Sequence, residues 1–142
     1  MGEGGAGMDP VTIHVVDDEP GIRHGLERLL RASGFEVTTY ASAEEFLVCA
    51  DDEGCLVLDF EMPGMSGLEL QKELLARGTR WQIVFLSGRY DVVAREKQPA
   101  LRAGAVAVLE KPATARDLLS AVDVALDRLG ITPPPREAPP GK

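Results

Sequence analysis

Four hydrophobic runs in this chain each stop on a polar or charged residue: V-V-D-D-E at 15–19, L-V-L-D-F-E-M-P-G at 56–64, V-F-L-S-G at 84–88 and V-L-E-K-P at 108–112. The recurrence constrains the fold strongly. Apolar runs of this length, separated by helix-like segments, predict the strands of a parallel sheet covered on both faces. In such a sheet the carboxyl ends of the strands face one crevice, where ligands bind. Asp17, Asp18, Asp59, Ser87 and Lys111 should therefore meet in space. An acidic cluster with one lysine and one hydroxyl can hold a hard divalent cation beside a phosphoryl group.

The pattern alternates strand and helix five times. Thr12–Val16, Phe35–Tyr40, Cys55–Leu58, Gln82–Leu86 and Val106–Leu109 read as strands. Pro20 suits a first helical turn, Leu26, Leu29 and Leu30 supply an apolar face, and Gly34 is a natural stop. Ser42 with Glu45 and Ser66 with Glu69 fit capping boxes, and Thr114 with Asp117 is a weaker version. Leu118, Leu119, Val122, Ala125, Leu126 and Leu129 trace the stripe of a last helix. The fourth helix is expected to break or restart at Pro99, which lacks an N–H and crowds the preceding turn. The fold class expected is α/β: a flavodoxin-like, doubly wound five-stranded parallel sheet with five helices. Periodicity does not give the strand order. The order 2-1-3-4-5 would place the ends of strands one and three, carrying Asp17, Asp18 and Asp59, side by side at the switch point. Residues 1–10 are Gly-rich and expected to be flexible, 11–130 form the domain, and 131–142 are a Pro-rich tail or linker.

The chain is 142 residues long with a net charge of −8, a poor match for a polyanion, so unaided nucleic-acid binding is not expected. No apolar stretch approaches the roughly 20 residues that cross a bilayer. The first residues lack the basic and apolar regions of a secretory signal, so a cytoplasmic location is expected. Cys49 and Cys55 have no metal-type spacing and read as small core residues. His14 alternates within a strand and reads as a satisfied sheet residue. His24 has little claim to a relay role, and Trp81 should pack at the edge of the fourth strand.

Adjacent carboxylates after a buried strand repel each other, and burial raises their pKa; a bound cation removes that penalty. The competing reading is that Asp17–Glu19 only cap the first helix. Asp59 tips the balance. It ends a strand and is followed by M-P-G-M-S-G, a loop stiffened by proline and freed by glycine. A carboxylate can accept a phosphoryl group as an acyl phosphate if a cation neutralises the transferred oxygens. Ser87 can donate to one of those oxygens and Lys111 can offer a positive charge to another.

These residues resemble the receiver domain of bacterial two-component response regulators. The resemblance covers roughly 11–130 and is carried by V-V-D-D-E-P, D-F-E-M-P-G-M-S-G, F-L-S-G and G-A-V-A-V-L-E-K-P. The segment Y-A-S-A-E-E-F-L is similar to the FixJ-like branch. The resemblance implies that Asp59 accepts phosphoryl from a sensor histidine kinase, a histidine phosphotransfer protein or a small acyl-phosphate donor. It implies that magnesium is held by Asp18 and Asp59 directly, by the backbone carbonyl of Glu61, and by Asp17 mainly through water. Ser87 would bond the phosphoryl group and Lys111 would pair with it. A cis peptide before Pro112 is common in the family. The expected protein is a signalling switch rather than an enzyme, catalysing only its own phosphorylation and slow dephosphorylation. It is not expected to contact nucleic acid or membrane itself, and a phosphorylation-dependent homodimer is compatible with the family. Three positions depart from the pattern: Val108 replaces the usual aromatic switch residue, the fourth-helix segment contains Pro99, and Glu61 places an acid two residues after the acceptor. Competing functions are a stand-alone phosphate shuttle or sink, a magnesium-dependent phosphohydrolase, and a degenerate interaction module. The phosphohydrolase would want a nucleophile after the first strand and a lid, and the intact site residues argue against the degenerate module.

Overall fold

The computed structural model describes residues 10–136. Of the segment expected to be flexible, residues 1–9 lie outside the described residues, as do 137–142 of the Pro-rich tail. The chain runs β1 (Thr12–Val16), α1 (Pro20–Ala32), β2 (Glu36–Tyr40), α2 (Ala43–Cys49), β3 (Glu53–Asp59), α3 (Gly67–Ala76), β4 (Arg80–Ser87), α4 (Tyr90–Arg102), β5 (Ala107–Glu110) and α5 (Ala115–Arg128). All strand pairs are parallel, and the order across the sheet is 2-1-3-4-5, as expected for a flavodoxin-like fold.

Period-two alternation sorts the strand side chains onto two faces. Ile13, Val15, Val57, Val84 and Leu86 bury against α1 and α5, with Leu30, Leu118, Val122 and Leu126 opposite them. Val16, Leu56, Leu58, Ile83 and Phe85 bury on the other face against Phe46, Leu70, Leu74, Val92 and Val93 of α2, α3 and α4. Each such side chain contributes about 1.5–3 kcal/mol relative to exposure, so the register is firmly specified. Val16 aligns with Leu58, Leu58 with Phe85 and Ser87 with Glu110, bringing the polar strand ends to one edge.

The strand-helix alternation is as read, with differences at the ends. β3 and β4 are longer than their apolar cores because Glu53 pairs with Arg80 and Gly54 with Trp81, an extension that rests on cross-strand pairing rather than on hydrophobic pattern. The Ser42 and Thr114 hydroxyls accept from the Glu45 and Asp117 amides, and Ser66 and Glu69 form a reciprocal capping box. His14 is satisfied, its Nδ1 lying 3.0 Å from the Tyr40 hydroxyl. Trp81 packs edge-on against His14 and donates to the Asp51 carbonyl at 2.9 Å.

Two expectations are corrected. α4 runs unbroken from Tyr90 to Arg102 through Pro99. The proline lies near the helix end, where later bonds hold the chain: Ala103 N–H to the Pro99 carbonyl and Ala105 N–H to the Ala100 carbonyl, both at 3.0 Å. The buried Gln71 side chain also donates from α3 to the Ala100 carbonyl at 3.1 Å. The cysteines are not both core residues. Cys55 is buried, and burial pushes its thiol up to about 12, whereas Cys49 is exposed at the end of α2. Residues 131–136 carry no regular structure but lie against the body, with Ile131 packed on the α1–α5 side of the core and Arg136 paired with Asp123 at 2.6 Å.

Candidate functional site

The carboxyl edge of the sheet gathers the residues that end the apolar runs. The register carries Asp17, next after Val16, beside Asp59, next after Leu58. Lys111 arrives from beyond β5 and its backbone N–H bonds the Ser87 carbonyl at 2.8 Å. The peptide between Lys111 and Pro112 is cis. Gly67 lets the following loop close over the acceptor strand. Its N–H bonds the Phe60 carbonyl at 2.9 Å, and a Cβ there would collide with the Asp59 carbonyl oxygen.

Asp17, Asp59 and Ser87 are almost wholly buried. Asp17, Asp18 and Asp59 each offer a carboxylate oxygen within 4.8 Å of the others. Lys111 Nζ lies 2.9 Å from Asp17 Oδ2, 3.4 Å from Asp59 Oδ2 and 3.5 Å from Glu19 Oε1. The 2.9 Å contact is a charge pair rather than an aligned hydrogen bond, so Asp17 Oδ2 is buried without a donor directed at it. Burial pushes the Asp59 carboxyl up to about 7; Lys111 and the Glu61 N–H pull it down, and the Asp17 charge pushes it further up. Burial disfavours the Lys111 ammonium, but the contact with Asp17 and the charges of Asp59, Asp17 and Glu19 outweigh it and hold the group above its usual range.

Those features fit a small hard dication. Three carboxylates converge, one oxygen lacks an aligned donor, and one lysine offsets only part of their charge. The capping alternative explains only part of the arrangement: Glu19, at the N-cap of α1, makes no side-chain cap bond, and Asp17 Oδ1 accepts from the Glu19 N–H at 2.9 Å, which leaves Asp17 Oδ2 in the cluster.

Ser87 Oγ accepts from the Arg89 N–H at 3.1 Å, and its one proton has two acceptors in reach, the Arg89 carbonyl at 3.3 Å and Glu61 Oε2 at 3.4 Å. The Glu61 N–H donates to Asp59 Oδ1 at 3.4 Å. The edge thus brings together every candidate residue: Asp17, Asp18, Asp59, Glu61, Ser87 and Lys111. Val108 is buried opposite Phe85, where a small side chain fills the core. His24 is exposed on α1. Sequence reasoning missed Glu19 as a partner of Lys111, and Arg23, whose Nη1 donates to the Asp17 carbonyl at 2.7 Å. A charged residue one turn after a site motif was the only available signal for Arg23.

A further feature adjoins Lys111. Gly21, Ile22, Gly25, Leu26, Pro112 and Ala113 line an apolar groove between α1 and the loop that joins β5 to α5. Gly21 and Gly25 present no side chain there, and Ile22 is exposed.

Known proteins are similar to this chain in sequence and fold. A family model described as the response regulator receiver domain matches residues 13–123. The chain is 40% identical over 122 residues to the transcriptional regulatory protein FixJ of Azorhizobium caulinodans, covering 84% of this chain and 57% of that protein. It is 42% identical over 117 residues to the transcriptional regulatory protein TdiR of Thauera aromatica, covering 81% of this chain and 51% of that one. The chain thus spans about half the length of these relatives. Among solved structures, the response regulator StyR superposes with a TM-score of 0.79 at 42% identity, covering 84% of this chain and 61% of that one. The crystal structure of FixJ-N superposes with a TM-score of 0.76 at 37% identity, covering 84% and 96%.

Proposed function

The chain belongs to the response regulator receiver domain family, and on that premise we propose that it is a phosphorylation-dependent signalling switch with Asp59 as the acceptor. The observation that carries the assignment is the setting of Asp59: buried at a strand end, beside a second carboxylate, with Lys111 Nζ 3.4 Å away.

Asp18, Asp59 and the Glu61 carbonyl would hold magnesium directly, with Asp17 acting mainly through water. Bound there, the ion supplies neutralisation of the phosphoryl oxygens and of the paired acids. An Asp59 oxygen attacks phosphorus as the bond to the donor breaks, and the bonding pair leaves with the donor's imidazole nitrogen or acyl oxygen. Lys111 exchanges its contact with Asp59 for a phosphoryl oxygen, and the Ser87 hydroxyl donates to another. Water attack on phosphorus reverses the modification slowly, with the Asp59 carboxylate as leaving group.

The donor is a phosphohistidine on a sensor kinase or a histidine phosphotransfer protein. The apolar groove beside Lys111 supports this, since it offers a partner helix an apolar surface adjoining a residue of the site. The curated relatives are named as transcriptional regulatory proteins and are about one and a half times as long, which favours a regulator's receiver over a free-standing phosphate shuttle. Among the described residues no helix is long and apolar enough to cross a membrane, and a cytoplasmic site of action is part of this reading.

Transfer from a phosphorylated histidine phosphotransfer domain tests the proposal. The wild-type chain should take the label only with magnesium, and Asp18→Ala should take it far more slowly. Equal transfer to Asp18→Ala would remove that carboxylate from the metal site.

A further inference from the structure

Glu44 lies outside the acidic cluster, in the first turn of α2, yet it touches the loop that follows the acceptor. Its Oε2 accepts from the Met65 N–H at 2.9 Å. The same oxygen sits 2.6 Å from where a Cβ would stand on Gly64, whose φ is +76°. Glycine at 64 thus serves two needs: it adopts the left-handed backbone, and it leaves room for a carboxylate to reach the chain. The Met65 N–H, foremost, and Glu44's own N–H hold the Glu44 carboxyl below its usual range.

The loop is closed at its far end by the Gly67–Phe60 bond and the Ser66–Glu69 capping box. Glu44, from a different element, holds Gly64 and Met65, the two residues just before that cap. Between Glu61 and Met65 lie three residues: Pro63 fixes one φ of that span, and Gly64, the freest of them, is the one the Glu44 carboxylate packs against, so losing Glu44 releases the most mobile point of the span.

We propose that Glu44 is a positioning residue for the metal site: it pins the Gly64–Met65 backbone and thereby the Glu61 end of the loop. This deepens the receiver reading and rests on it. Glu44 touches neither metal nor phosphoryl, so its effect is on the geometry of the loop. A carboxylate in a first turn could instead serve only the helix dipole of α2. The neighbouring Glu45 provides the control. Its Oε1 accepts from the Ala41 N–H at 2.7 Å on the same helix end and does not touch the loop.

Magnesium titration by calorimetry on the wild-type chain, Glu44→Ala, Glu44→Gln and Glu45→Ala separates these roles, with amide exchange at Met65 read in parallel without metal. Glu44→Ala should bind magnesium about tenfold more weakly, the lower end for partners that orient metal ligands, and should expose the Met65 amide. Glu44→Gln keeps an acceptor oxygen and should restore most of both. Glu45→Ala should lower the melting temperature comparably while leaving magnesium affinity unchanged. Equal affinity in Glu44→Ala and wild type, or an equal loss in Glu45→Ala, overturns the proposal. A wild-type chain that bound no magnesium would overturn the receiver reading itself and this proposal with it.

Discussion

Asp59 carries the chemistry and a stability cost at once. Without metal, the folded state holds its proton up to about pH 7, whereas an ordinary carboxyl releases it near 3.8. The folded state therefore binds the extra proton between those values, and this group's contribution to stability falls as pH rises through that window. The full difference is worth at most about 4 kcal/mol above pH 7. Asp59→Asn should accordingly be more stable than wild type in chelator at pH 8 and little different at pH 4, as read by denaturant unfolding. Equal stability at pH 8 would mean that the carboxylate is not desolvated. Glu61 makes the second prediction at this scale. Its carboxylate lies 3.4 Å from the Ser87 hydroxyl and will repel an anionic phosphoryl group. Relieving roughly 1 kcal/mol of like-charge repulsion should make Glu61→Gln accept phosphoryl from acetyl phosphate about fivefold faster. A slower time course would show that Glu61 assists the transfer.

At the scale of elements, the question is how α4 answers the site. Ser87 Oγ accepts from the Arg89 N–H at the start of α4, a helix whose N-cap residue makes no side-chain capping bond. Its other end is fixed by Gln71 and the bonds after Pro99. Recruitment of the Ser87 hydroxyl by a phosphoryl group frees the Arg89 amide, so the early part of α4 should move against an anchored end. Val108 is β-branched and stiff, and does not sweep the volume of an aromatic ring. With beryllofluoride and magnesium, amide exchange should change mainly in residues 87–98. Changes centred on Val108 and α5, with a quiet loop, would rule this out. The expected break at Pro99 failed for a related reason. A local rule weighs the missing N–H, but Pro99 lies in the last turn, where the bonds from Ala103 and Ala105 and the Gln71 side chain, 29 residues away in sequence, fix the chain end. The caps at Ser42, Ser66 and Thr114 were legible because they are local. The polar ends of β3 and β4 were not, because only cross-strand pairing extends them.

For the whole molecule, the parallel α/β architecture was legible because each apolar run is short, bounded and followed by a helical stripe. The strand order came by analogy to folds that join such ends, not from periodicity. The edge cluster was legible because Asp17, Asp59, Ser87 and Lys111 each end or follow a run. The supports from Glu19, Arg23 and Glu44 were not, since a charged residue on a helix looks the same in sequence whether it is solvated or turned toward a site. The cluster predicts a link between metal and global stability. At a hundred times its dissociation constant, magnesium should add about 2.7 kcal/mol and raise the melting temperature by roughly 8 °C. Asp18→Ala should show almost none of that rise, and a full rise in that variant would place the metal elsewhere. The most direct test of the central claim is intact-mass spectrometry after incubation with acetyl phosphate and magnesium. The wild-type chain should gain the mass of one phosphoryl group and Asp59→Asn none; an undiminished adduct in Asp59→Asn would contradict the assignment of the acceptor.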